Sequence, residues 1–141
     1  MGVSESTHSA RERIVREHMK AENDLDLGRA LDTFGHPRYE PIATGEVYDG
    51  PAEVERYYRE SRAAFPDQRN EIISLRHAED AVIVEFWQLG THKGPLGRLA
   101  PTGREFRCRM TAFFIFEGTE LICERVYFDS ATIRHQLNGA S

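Results

Sequence analysis

Residues 104–129 read REFRCRMTAFFIFEGTELICERVYFD, two runs of β-branched and aromatic residues on either side of Gly118. Such runs are strand formers, and the Glu-Gly-Thr-Glu segment between them predicts a tight hairpin turn. A two-residue turn with either Glu117-Gly118 or Gly118-Thr119 at its tip gives the same pairing parity. Alternation then places Cys108, Met110, Ala112, Phe114 and Phe116 on one face with Leu121, Cys123, Arg125, Tyr127 and Asp129. Arg107, Arg109, Thr111, Phe113 and Ile115 take the other face with Ile122, Glu124, Val126 and Phe128. The first face is apolar except for Arg125, the Tyr127 phenol and a terminal carboxylate, and ionisable groups there are costly to bury without a partner or a purpose.

Upstream of the hairpin, residues 70–78 and 81–91 also read as strands, with the turn between them at Asp80. The connector HKGPLGRLAPTG, residues 92–103, is rich in Gly and Pro and reads as a loop or flap over one sheet end. Before the strands the periodicity is helical. Ser9 to Glu12 forms a capping-box pattern opening a helix with Ile14, Val15, His18 and Met19 on one face, ending near Asn23. Asp26 is placed to cap a second helix carrying Leu27, Ala30, Leu31 and Phe34, stopped by Gly35. Residues 36–48 are too broken by Pro and Gly for a helix and predict a short hairpin or edge strands. Pro51 opens a third helix with Val54, Tyr57, Tyr58, Ser61 and Phe65 inward, ended by Pro66. Ser130 to Leu137 predicts a terminal helix. Helices followed by an antiparallel meander define an α+β domain whose helices cover one sheet face. In that meander His92, Arg104 and Asp129 fall at the same sheet end.

At 141 residues the chain suits one domain, with an ordered core of about 9–138. A net charge of -5 with no basic stripe argues against nucleic acid or anionic membrane as partner. The N-terminal residues lack an apolar signal core and no apolar run is long enough to span a bilayer, so a cytoplasmic location is expected. The two cysteines fall in strands and read as buried free thiols. Scattered histidines, with no ligand spacing, and the absence of phosphate-loop, dinucleotide or nucleophile-elbow motifs predict neither metal nor cofactor.

Asp129 has two readings, as the N-cap of the terminal helix, worth about 1 kcal/mol, or as an acid/base group raised in pKa by Tyr127, Met110 and Cys108. His92 either polarises a carbonyl or bonds to backbone in its turn. His18 is a core or cavity-lining histidine, and His36 lies in a loop near the mouth. Of Tyr57 and Tyr58, one lines the pocket and the other packs. Trp87 reads as a pocket wall. Phe113, Ile115, Ile122, Val126 and Phe128 make the arginine-bearing face too apolar for solvent, which predicts a homodimer through the outer sheet face.

The GTHKG turn at residues 90–94, the APTGREF segment at 100–106 and the final ICERVYFD strand resemble the SnoaL-like polyketide cyclases. The likeness covers residues 9 to 138. It implies the nuclear-transport-factor-two-like fold, a cone whose strongly curved antiparallel sheet wraps a pocket closed by three N-terminal helices. It further implies ring closure in a polyketide ester by intramolecular aldol condensation, with a carboxylate as acid/base and no metal or cofactor. The expected site has Asp129 and His92 as catalytic groups. Arg125, Tyr127, Tyr57, Trp87, His18, His36, Met110 and Phe114 bind a small apolar or polyketide-like molecule. Arg125 departs from the family, where an aromatic residue is common, and implies a more anion-accepting pocket. The competing readings are a non-catalytic ligand-binding or dimerising module, and epoxide hydrolysis by carboxylates and an arginine.

Overall fold

The computed structural model describes residues 2–139. Helix α1 spans Glu5–Asn23, α2 Leu27–Asp32, α3 Pro51–Ala64 and α4 Ser130–Leu137. The strands are β1 Arg38–Pro41, β2 Tyr48–Asp49, β3 Arg69–His77, β4 Ala81–Thr91, β5 Glu105–Glu117 and β6 Glu120–Tyr127. They form one sheet in the order β2-β1-β6-β5-β4-β3. The predicted meander accounts for β3 to β6. The 36–48 segment supplies the edge hairpin, and β1 lies parallel to β6, so the sheet is mixed rather than wholly antiparallel.

Local chemistry explains the element ends. α1 begins earlier than its capping-box pattern suggested, because Ser4 Oγ already accepts the Thr7 N–H at 3.2 Å. Asp26 caps α2 by accepting the Arg29 N–H, and Pro51 opens α3 after Gly50 at φ 89°. The buried Arg11 ties α1 to the hairpin tip, donating to the Gly118 carbonyl and the Glu79 carbonyl at 2.8 Å each.

Helices α1 and α3 pack on the inner sheet face, α1 against β3, β4 and β6, and α3 against β1 and β2. The core between them includes Val15, Val54, Val84, Phe114 and Leu121, all almost fully buried. Both cysteines are buried free thiols. Among the described residues, no helix is long and apolar enough to cross a membrane.

Candidate functional site

The site is decided by one extra residue in β6. Glu117 faces Glu120 across a Gly118-Thr119 tip, and Phe116 faces Leu121. Ile115 then faces Cys123, so Ile122 is left without a partner on β5. A bulge of this kind reverses the face of every side chain beyond it. Glu124, opposite Phe114, and Val126, opposite Ala112, therefore turn inward, while Arg125 and Tyr127 turn outward. Burial agrees, with Glu124 7% exposed and Tyr127 44%.

Several expectations are corrected by this reversal. Arg125 lies on the outer face and donates to Glu40 at 2.7 Å. Arg38 donates to the same carboxylate at 2.7 Å, and the Arg125 hydrogen bond above all holds Glu40 below the usual carboxylate range. Asp129 is exposed and caps α4, accepting the Ala131 N–H at 2.9 Å. It does not meet His92 and Arg104, because β6 stops opposite Thr111 while β5 runs on to Glu105. α4 takes over that edge, with Gln136 bonding the Arg107 N–H and carbonyl at 2.7 and 2.9 Å. Val126 and Phe128, assigned to the outer face, are inside.

Trp87 stands on the outer face opposite Arg109, beneath the guanidiniums of Arg107 at 4.2 Å and Arg109 at 5.7 Å, away from the cavities of the inner face. His36 is at the surface, 3.0 Å from Asp49. His92 is fully buried in its turn, where Nδ1 accepts the Thr102 N–H at 3.2 Å, and it does not line the inner-face cavities. Phe114 is core, edge-on to His18 at 5.5 Å.

The reversal brings Glu124 to His18, on the inward stripe of α1. His18 Nδ1 sits 2.8 Å from Thr33 Oγ1, which donates onward to the Ala30 carbonyl at 2.6 Å, so Nδ1 carries a proton. Nε2 lies 3.1 Å from Glu124 and 3.5 Å from Glu22, one helical turn further along α1. Burial alone would lower the His18 pKa. The charge of Glu22 and the Glu124 hydrogen bond outweigh it and push the group up to about 9. His18 is an imidazolium at neutral pH.

Glu22 is held differently. Burial first, and then the neighbouring Glu124 charge, push its carboxyl up, against the opposing pull of His18 and Arg62. Arg62 of α3 approaches it at 3.7 Å, donates to Ser61 Oγ at 2.8 Å and lies over Tyr58 at 5.3 Å. Glu124 is thus locked by a hydrogen bond, whereas Glu22 has only longer charged contacts and a strengthened hold on its proton.

Glu22, Glu124 and Arg62 line a small inner pocket of about 20 Å³, room for about one water. Beside it lies a cavity of about 590 Å³, walled by Phe65, Leu96, Leu99, Met110, Phe128 and Ile133. Tyr39, Tyr57, Gln68 and Gln88 line both spaces and form the partition between them. Tyr57 donates to Tyr39 at 3.4 Å, and burial keeps both phenols protonated by raising their pKa. Tyr58 is packed in the core.

His18 Nε2, Glu22 and Glu124 also present three ligand atoms within 4.8 Å of one another. A cation there must displace the Nε2 proton that Glu124 holds and sit beside Arg62. The set as built favours holding a proton over holding a metal.

A mixed six-stranded sheet with helices over a pocket on one face defines the nuclear-transport-factor-two-like class. The chain belongs to the SnoaL-like polyketide cyclase family, whose pattern matches residues 12–137. Among solved structures, a candidate polyketide cyclase from Acidithiobacillus ferrooxidans is 24% identical, with full coverage of both chains and a TM-score of 0.73. IdmH of Streptomyces antibioticus, also a candidate polyketide cyclase, is 19% identical over 91% of this chain and 98% of its own, with a TM-score of 0.75. AclR of Streptomyces galilaeus, a candidate hydroxylase, is 18% identical over 93% of this chain and 82% of its own, at 0.79. Identities this low speak for the fold alone. No curated protein matches the sequence.

Proposed function

We propose that the protein is a cofactor-free enzyme that moves a proton next to a carbonyl of a small, largely apolar substrate, with Glu22 as the acid/base group. One observation carries this: a carboxyl whose pKa is raised by burial lines the pocket behind a cavity of substrate size. The substrate body fills the larger cavity with its carbonyl at the tyrosine and glutamine partition. Glu22, acting through the one water that the inner pocket has room for, takes a proton from the carbon beside the carbonyl, and a Tyr39 or Tyr57 hydroxyl donates a hydrogen bond to the enolate oxygen. His18 holds Glu124 in place, and the Glu124 charge raises the proton affinity of Glu22. Ring closure follows when the enolate carbon meets a second carbonyl of the same molecule, as the family membership suggests.

The test is deuterium exchange at the α-carbon of an aromatic β-keto ester in D2O, followed by NMR. Glu22→Gln is expected to lower the protein-catalysed rate about a hundredfold, the lower end of what a positioned base contributes. Asp129→Asn is expected to leave it unchanged, and the opposite pattern would return the catalytic role to Asp129.

A second reading, epoxide opening by water, rests on Arg62 standing beside Glu22 with Glu124 near. Styrene oxide consumed by the wild type and spared by Arg62→Gln would favour it over enolate chemistry.

The outer face keeps Phe113, Ile115 and Tyr127 partly exposed beside the Arg107 and Arg109 pair over Trp87. A second copy covering that face is the arrangement these residues favour. Sedimentation at micromolar concentration is expected to give a dimer, and a monomer there would remove the idea.

A further inference from the structure

We infer that the substrate is an acid: an apolar body bearing a carboxylate, which Arg98 and Arg134 receive at the mouth of the larger cavity. The inference rests on the reading of that cavity as the substrate site and specifies what enters it.

The sign of charge around the cavity is the starting observation. The chain carries 23 acidic residues against 18 basic ones, yet among the described residues no Asp or Glu lines this cavity, and the charged lining groups are Arg98 and Arg134. Both are exposed, and among the described residues neither has an acidic partner, whereas Arg38, Arg62, Arg109 and Arg125 all do. Two uncompensated guanidiniums on an otherwise neutral wall reverse the sign of the whole molecule locally and draw anions to the opening.

Their placement comes from two different elements. Leu96 and Leu99 exchange both backbone hydrogen bonds, at 3.0 and 2.9 Å, around a Gly97-Arg98 tip with Gly97 at φ 57°. That tight turn puts the two leucines in the cavity wall and Arg98 at its apex. Arg134 follows the cavity-lining Ile133 on α4, so both arginines stand beside apolar wall residues. A guanidinium presents a planar fork of donors that matches a carboxylate.

The inner end of the site has no free positive charge to match. His18 and Arg62 there are already paired with Glu124 and Glu22, and the tyrosine and glutamine wall offers hydrogen bonds to a neutral carbonyl. An acid therefore has one favoured orientation, carboxylate at the mouth and ketone at the partition. A neutral ester has no such bias.

Fluorescence titration of the full chain with 9-anthracenecarboxylate and with its methyl ester separates the two claims. The acid is expected to bind at least tenfold more tightly than the ester at 50 mM salt, with the ratio shrinking at 500 mM because the contacts at the mouth are screened. The double variant Arg98→Gln/Arg134→Gln is expected to lose the preference and keep the ester affinity, which also reports that the cavity is intact. The lysine pair at the same positions is expected to keep a salt-dependent preference. Equal affinities in the wild type, or a preference that survives the glutamine pair, overturn the role of the arginines while leaving the cavity as the substrate site. Failure of both compounds to bind the wild type removes the cavity reading and this inference together.

Discussion

Replacing Glu124 with alanine is expected to destabilise the protein by roughly 3 to 5 kcal/mol, the cost of stripping one partner from a buried ion pair. The reason is His18, which is fully buried and has both ring nitrogens committed, Nδ1 toward Thr33 and Nε2 toward Glu124. Without Glu124 the ring keeps only the longer contact to Glu22 and must give up its charge or remain poorly paired in the core. Asp129→Ala supplies the comparison, since it removes only a cap at an exposed helix end, worth about 1 kcal/mol. Urea unfolding of the two variants beside the wild type measures both. If Asp129→Ala were as damaging as Glu124→Ala, the interior would be organised around the wrong carboxylate.

Stability is also expected to fall as pH rises from 6.5 to about 9.5. The His18 pKa is raised from 6.5 to about 9 in the folded protein. A group raised in this way contributes its full stabilisation below its unfolded value and loses it as pH passes through the folded one. At about 1.4 kcal/mol per unit, the loss is about 3 kcal/mol. Glu22 acts in the same direction lower on the scale, because burial favours its protonated form and ionisation above the ordinary carboxylate value costs stability. Unfolding free energies measured across this window are expected to slope downward in the wild type and much less steeply in His18→Gln. A wild-type curve that is flat or rising between pH 6.5 and 9.5 would mean that His18 is neutral in the native state.

The elements themselves were legible because each rests on local chemistry. Periodic apolar residues marked α1 to α3, Gly118 marked the hairpin, and Asp26 and Asp129 marked helix starts. The site was not legible, and the cause is a single unpaired residue. Parity carried from Gly118 through β6 is correct as far as Leu121 and inverted from Cys123 onward, because Ile122 interrupts the register. The strand did contain a signal. Read alone, its second half places Glu124, Val126 and Phe128 together and Cys123, Arg125, Tyr127 and Asp129 together, and the first set is the more apolar away from its acid. Read from the turn, that same apolar set points to solvent, where an interface between two copies accounts for it without a bulge. Glu22 and Arg62 were legible in principle, since Glu22 follows His18 by four positions and Arg62 follows Tyr58 by four, each on an inward stripe. A charged residue at such a position reads as a helix flank until a partner across the core is known.

The most direct test of the site is the titration of the His18 ring itself, followed by nitrogen-15 NMR of its two ring nitrogens. The geometry predicts an imidazolium with both N–H groups still present at pH 8, titrating near 9, and a marked drop in that value in Glu124→Gln. A ring already neutral at pH 7 in the wild type would contradict the inward turn of Glu124 and, with it, the proposed acid/base site.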